Sequence, residues 1–366
     1  MNHGDGSERT NPRVAILYPV PFGDNGIFGG GERYAFELAK ALARRTPTRL
    51  VTFGPRASRE TFDGLEVRVR RPLKYLSGHK SNPLAFGQLL DLQDVDVIHC
   101  VRWNTFVTDM AILYAKATGK KVFITDIGGG SSLTLTRLLP LGRLVDGFLL
   151  IAEQGGRQFE EFRSKWHIIH AGIDTDRFKP RADAMREGVL FVGRLLPHKG
   201  INYLIEAVDA HTPLTVVGRP YHPEYWRLLQ ELSAGKNVRF ITDASDEELV
   251  RRYQSCAIKV FPSVYDTIYG DHTDLPELLG FTAMEAMSCA MPVIASDVGG
   301  LSEVVADGVT GFLIPPNDAP AIREKLRLLL GTPELLARLG EAGRQRILER
   351  FTWDAVARKC LDAYSQ

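Results

Sequence analysis

Two glutamates eight positions apart are the first chemistry the chain offers. In the stretch DLPELLGFTAMEAMSCAMPVIASD, residues 274–297, seven residues separate Glu277 from Glu285. Gly280 interrupts the apolar pattern, and residues 282–290 then read as a helix running into a buried strand at 292–295. Glu277 is thereby expected in the loop ahead of a helix N-terminus. Glu285 is expected about one turn inside that helix, among the small residues Ala283, Ala286 and Ser288. A carboxylate can grip two neighbouring hydroxyls, as on a ribose or a hexose, and the amides of a helix start hold phosphate. The competing reading, two ordinary solvated acids, fits poorly with a glutamate set among Ala and Met before a buried strand.

A second constellation is VGRLLPHKG at residues 192–200, which puts Arg194 and Lys199 into one loop after a strand. Such a pair matches a diphosphate, the arginine as a planar fork and the lysine as a point charge. For two basic residues alone, a solvated basic turn is the better reading. A third is Gly29-Gly30-Gly31-Glu32, after the first strand and directly before a helix. Glycine lets backbone approach a ligand and the helix start favours an anion. The spacing is neither that of a P-loop nor that of the dinucleotide fingerprint, and a flexible turn before a capped helix is the plain alternative.

The elements that must position these residues alternate along the chain. Short runs at 14–18 (VAILY), 50–53 (LVTF), 95–99 (VDVIH), 122–125 (VFIT), 147–151 (GFLLI) and 166–170 (WHIIH) read as buried parallel strands. Residues 32–45 form an amphipathic helix between the first two, making a βαβ unit. A second series follows at 189–192, 214–217, 238–241, 258–261, 292–295 and 311–314, with helical patterns such as 201–208 and 246–255 between, and a mostly helical stretch from 320 onward. The polar segment 172–188 reads as a linker. These patterns predict an α/β chain of two doubly wound domains, whose ligands bind outside the carboxyl ends of the strands.

Composition narrows the function classes. The 366 residues exceed what one core usually covers. A net charge of +1 gives no case for nucleic-acid binding. The four cysteines, Cys100, Cys256, Cys289 and Cys360, make no C-x-x-C pair and point to reduced thiols in a cytoplasmic compartment. The polar N-terminus does not look like a signal peptide, and no apolar run reaches the ~18 residues of a membrane span. Residues 1–170 hold 23 Lys and Arg against 17 Asp and Glu, whereas residues 171–366 hold 22 against 27. Within the basic half, residues 68–80 (RVRRPLKYLSGHK) mix cations with aromatic and leucine side chains. That mixture raises the expectation of a peripheral contact with the inner face of a membrane, against the alternative of a plain basic loop.

Taken together, these segments resemble the retaining GT-B glycosyltransferases, specifically glycosyltransferase family four. The glutamate pair has that family's E-x7-E spacing. VGRLLPHKGINYLIEAV resembles its donor loop, FGGGERYAFELAKAL its N-terminal glycine loop and HAGIDTDRFKP its interdomain segment. SDVGGLSEVVADGVTGFLIPPND resembles the region after the second glutamate, and FTWDAVARKCLDAY the final helix. The resemblance implies two Rossmann-like domains facing a central cleft: an acceptor domain at 1–171, a nucleotide-sugar domain at 172–349, and a helix at 350–366 crossing back to the first.

The same resemblance implies roles. Arg194 and Lys199 neutralise the donor diphosphate, Glu285 binds ribose hydroxyls and Glu277 lies beside the donor sugar. Gly280, Phe281 and Thr282 offer amides to phosphate, while Gly30 and Gly31 approach it from the other domain. The substrates implied are a nucleoside-diphosphate sugar, with uridine or guanosine as the base, and a small-molecule, glycan or lipid-linked acceptor. No cofactor or metal ion is implied. Two departures stand out. The family often carries a histidine after the fourth strand of its first domain, where this chain has Asp126, and Pro-Asn-Gly where it has His170-Ala171-Gly172. Asp126 is then a candidate to stabilise charge on the donor carbon or to bind the acceptor; the structural alternative is an aspartate holding a glycine-rich turn. Other activities on this fold remain open: an epimerase, a phosphorylase, or a non-catalytic nucleotide-sugar binder. The last would have no need to keep Arg194, Lys199, Glu277 and Glu285.

Overall fold

The computed structural model describes residues 11–21, 30–78, 80–128, 134–182 and 185–366. Two compact units emerge. The first takes the chain up to Ile151, Gly156–Gly172 and Trp353–Gln366; the second takes Ala152–Gly155 and Ile173–Thr352.

The first unit contains β1 (Val14–Pro21), β2 (Thr48–Phe53), β3 (Ser58–Phe62) and β4 (Leu65–Arg70). After β5 (Lys74–Tyr75) and β6 (Pro83–Leu84), a separate antiparallel pair, come β7 (Val97–Val101), β8 (Lys121–Thr125), β9 (Gly147–Leu150) and β10 (Trp166–Ile168). One sheet has the order β10-β9-β8-β7-β1-β2-β4-β3 and is parallel except for its last pair. Every residue of β7 and β9 is buried, which is why these segments, apart from His99, are apolar runs rather than alternating ones. Helices α1 (Gly30–Ala43) and α2 (Phe106–Ala117) connect the strands. Thr105 caps α2, its hydroxyl accepting from the amide of Thr108.

The second unit holds β11 (Val189–Val192), β12 (Leu214–Val217), β13 (Val238–Ile241), β14 (Ile258–Phe261), β15 (Val293–Ser296) and β16 (Gly311–Ile314). They form one parallel sheet in the order β13-β12-β11-β14-β15-β16. Counted within the unit this is 3-2-1-4-5-6, the doubly wound order whose switch point lies between its first and fourth strands, here β11 and β14. The connecting helices are α3 (Ile201–Ala207), α4 (Pro223–Leu232), α5 (Asp246–Ser255), α6 (Phe281–Ser288) and α7 (Leu301–Val304), followed by α8 (Ala319–Leu330) and α9 (Pro333–Arg350).

The last helix, α10 (Trp353–Tyr364), belongs to the first unit. Trp353 packs edge-on against Tyr34 of α1 at 5.4 Å, a geometry worth about 0.5–1.5 kcal/mol beyond its buried area. The Tyr364 hydroxyl meets Nδ1 of the buried His99 at 2.7 Å, and His99 Nε2 meets Oγ1 of Thr125 at 2.8 Å. Burial holds the His99 imidazole neutral, its pKa down at about 3, so this polar link is satisfied without a charge. All four cysteines are buried and free. Among the described residues, no helix is long and apolar enough to cross a membrane.

Several boundaries differ from the sequence expectations. The strand expected at 95–99 is Val97–Val101, because Asp96 is occupied ahead of it, accepting from the backbone and guanidinium of Arg13 at 2.8 and 3.0 Å. The helix expected at 282–290 begins at Phe281 and stops at Ser288, and Ala290 lies beyond it at a positive φ of 55°. The segment 68–80, expected as a basic loop, begins inside β4, a strand absent from the sequence expectations together with β3. Its Arg68 and Arg70 are committed to Asp91, at 2.9 and 2.5 Å, and that carboxylate is fully buried. Arg68 is also held by Glu66 at 2.9 Å. Of that segment's cations, Arg71 and Lys74 are exposed, with Leu73 between them 76% exposed, and Lys80 at the segment's end is exposed too.

Candidate active site

The carboxyl ends of β11 and β14, at the switch point of the second sheet, carry the two loops on which most of the candidate residues lie. After β11 the chain turns sharply: the amide of Leu195 donates to Arg219 and that of Leu196 to Arg194, and a single 3₁₀ turn, Pro197–Lys199, leads into α3. Buried Leu195 anchors this loop in the core, while Arg194 stays exposed. After β14 a longer loop ends at Glu277 and passes through Gly280 into α6. Gly280 sits at φ 93°, and a Cβ there would lie 2.5 Å from Leu301 Cδ2, so only glycine starts this helix without a clash.

Between the two loops is a pocket of about 240 Å³ lined by Phe191 to Arg194, Lys199, Phe261 and residues 277–282. Arg194, Lys199, Glu277, Gly280, Phe281 and Thr282 are therefore brought together. The first amides of a helix have no acceptor within it, so the start of α6 presents donors to this space. The guanidinium of Arg194 has no ion-pair or hydrogen-bond partner among the described residues. Lys199 is differently placed: its ammonium contacts Oε1 of Glu277. Ser263 Oγ donates to the same oxygen at 2.6 Å. The Glu277 backbone carbonyl accepts from the amide of Gly300 at 3.2 Å. Thr282 is fixed by its hydroxyl, which donates to the carbonyl of Val192 at 3.2 Å.

Glu285 lies one turn further along α6, outside that lining. It is buried, and its Oε2 accepts from the hydroxyl of Tyr253 at 2.7 Å. Burial first, and then the charge of Glu285, push the Tyr253 phenol well above its usual range, so it stays a donor. Beside the cation loop, burial and then the charges of Lys199 and Arg194 bring His198 down to about 4, leaving it neutral at physiological pH. Among the described residues, no group of three or more His, Cys, Asp and Glu gathers as a metal site would.

The remaining candidates belong to the first unit. Gly30 opens α1. Gly31 is held close by its own unit, where a Cβ would stand 2.8 Å from the Tyr18 hydroxyl and 2.9 Å from Ile127 Cδ1. Packing inside the unit therefore demands a glycine here whether or not a ligand approaches. Gly29 lies outside the described residues. Asp126 follows β8, and both its oxygens have partners: Oδ1 accepts from the amide of Trp103 at 3.1 Å and Oδ2 from the side chain of Gln158 at 2.8 Å. The glycine-rich turn considered for it falls largely within residues 129–133, outside the described residues.

Sequence reasoning passed over three side chains of the second unit. Ser263 and Tyr253 each orient one glutamate, and nothing in the local pattern marks a lone serine after a proline or a tyrosine on an amphipathic helix. Lys259 did carry a signal, a lysine inside the apolar run IKVF of β14; it is fully buried.

Comparison with known proteins adds to this geometry. The family model described as "Glycosyl transferases group 1" matches residues 172–346, and the one described as "Glycosyltransferase Family 4" matches residues 28–177. The alpha-maltose-1-phosphate synthase of Mycolicibacterium smegmatis is 33% identical over 227 residues, 54% of this chain and 56% of that protein. The D-inositol 3-phosphate glycosyltransferase of Streptomyces avermitilis is 32% identical over 241 residues, 58% of this chain and 49% of that protein. The chain thus spans about half the length of the curated relatives it matches. Among solved structures, that of HepE from Anabaena in complex with UDP superposes with a TM-score of 0.74 at 18% identity, covering 96% of this chain and 99% of that one. It shows a shared fold.

Proposed function

Because this chain belongs to glycosyltransferase family four, with that family's two Rossmann-like parallel-sheet domains, we propose that it moves a sugar from a nucleoside-diphosphate sugar to an acceptor with retention of anomeric configuration. The observation that carries the reading is the pocket at the β11–β14 switch point, where an unpaired arginine, a lysine–glutamate pair and a helix start converge. Arg194 and the amides of Gly280, Phe281 and Thr282 take the diphosphate, with Lys199 completing its neutralisation as it leaves. These fixed charges act where negative charge develops, and no metal ion is required of them. Glu285, steadied by Tyr253, accepts from the ribose hydroxyls, and Glu277 lies beside the donor sugar. HepE was solved with UDP, which favours uridine as the base, with guanosine the second choice.

On the first unit, Gly30 and Gly31 offer backbone to phosphate, and Asp126 acts at the reacting groups in place of the family's histidine. The acceptor class we infer is that of bacterial polysaccharide, glycolipid or glycosylated-metabolite synthesis, in the cytoplasm. For a lipid-linked acceptor, contact with an anionic leaflet rests on Arg71, Leu73 and Lys74, since Arg68 and Arg70 are committed to Asp91. The test is turnover against a panel of UDP- and GDP-sugars, with and without candidate acceptors. Nucleoside diphosphate released only when acceptor is present supports transfer. A donor epimerised or consumed without acceptor contradicts it.

A further inference from the structure

Lys259 lies in the middle of the second sheet, its strand hydrogen-bonded to β11 on one side and β15 on the other, with Leu190 and Val293 as register partners. No part of the residue reaches solvent. Its ammonium donates to the carbonyl of Val260 at 3.0 Å and stands over the rings of Phe191 and Phe261, 4.8 and 4.9 Å from their centroids. Both rings line the pocket at the carboxyl edge of the sheet, so the ammonium lies directly behind the pocket wall. A methionine or leucine would fill this place without the cost of burying a charge. Packing alone therefore does not call for an amine here, and the neighbouring pocket is a place where its charge can act.

We propose that Lys259 is a positioning residue of the donor site: its amine, behind Phe191 and Phe261, becomes protonated as an anionic nucleotide-sugar fills the pocket, so that donor binding takes up a proton. The proposal rests on reading this pocket as a nucleoside-diphosphate site. Burial lowers the Lys259 pKa to about 7, against the opposing pull of Glu277 and Glu285, with Lys199 adding to the lowering. Near pH 8 the amine is then mostly neutral in the empty site. Two added phosphate charges favour the ammonium, and the proton comes from solvent. Of the other groups around it, His198 is already neutral in this range and Tyr253 does not titrate there. The phosphodiester charges of a nucleotide-sugar do not change either.

Stability supplies an independent reading. A depressed lysine binds fewer protons folded than unfolded between about pH 7 and its ordinary value, so stability rises with pH across that window. Lys259→Met removes both that slope and the burial penalty, and its Tm should equal or exceed that of wild type.

The experiment is calorimetric titration of UDP-glucose and of GDP-mannose into the full chain at pH 8, in two buffers of different ionisation enthalpy. The wild type should take up a substantial fraction of a proton per donor bound. Lys259→Met should bind three- to tenfold more weakly and take up none. Donor binding with no uptake, or with uptake that survives in Lys259→Met, overturns the inference alone. A lower Tm in Lys259→Met with unchanged linkage assigns the lysine to the fold and also overturns it. Binding of neither donor by wild type removes the donor reading and this inference with it.

Discussion

The ammonium of Lys199 and the carboxylate of Glu277 form an ion pair that is almost closed to solvent, their side chains 11% and 9% exposed. Neither is simply available to substrate, because each holds the other. Removing one leaves the partner nearly buried and unpaired, which costs about 3 kcal/mol or more. Lys199→Ala should therefore lose stability as well as activity, with a lower urea midpoint at unchanged m-value. The double variant Lys199→Met/Glu277→Gln should recover most of that stability and none of the activity. A single variant as stable as wild type would mean that the pair is not closed in solution.

The bond from Tyr253 to Glu285 gives a graded expectation. Glu285→Ala removes the proposed ribose acceptor and should weaken UDP or GDP binding by tenfold or more in calorimetry. Tyr253→Phe keeps the carboxylate and frees one of its oxygens, so its loss should be smaller, about the 0.5–1.5 kcal/mol of a single hydrogen bond. Equal affinity in wild type and Glu285→Ala would refute the ribose assignment.

Asp126 holds the amide of Trp103 and the side chain of Gln158. Asp126→Asn can keep accepting from Trp103 on one atom, and Gln158 can turn its amide to meet the new donor. Stability and nucleotide affinity should then change little, while turnover falls more than tenfold if the charge takes part in the reaction. A lower Tm with full specific activity would assign Asp126 to the loop.

If the chain meets an anionic leaflet, the exposed cations Arg71 and Lys74 should carry the attraction at about 1 kcal/mol each. Reversing both should reduce co-sedimentation with phosphatidylserine vesicles by at least tenfold. Arg68→Gln and Arg70→Gln, by contrast, should act through fold stability, because they strip a buried aspartate. Sedimentation that does not depend on anionic lipid would remove the membrane contact.

The two-unit α/β fold was legible because fully buried parallel strands leave unbroken apolar runs, as in β9 and β11, and because Gly280 marks the start of α6. The β3–β4 pair was not read, although LEVRVR alternates as a half-buried strand does; seen for its cations alone it looks like a basic loop. Pairings across sequence were out of reach. Lys199 and Glu277 are 78 positions apart, and nothing local says that these two side chains pair with each other. The lysine in IKVF was visible, but its meaning needed the two phenylalanines around it.

Arg194 offers the most direct test of the central claim, since it is exposed and unpaired, and its removal should leave stability within about 0.5 kcal/mol. The measurement is calorimetric affinity for UDP and GDP in wild type and Arg194→Ala, at equal ionic strength. The account predicts that wild type binds at least one of them and that Arg194→Ala binds it about tenfold to a hundredfold more weakly, the 1.5–3 kcal/mol of a charge-assisted bond to phosphate. Unchanged affinity in a folded Arg194→Ala, or no binding by wild type, would contradict it.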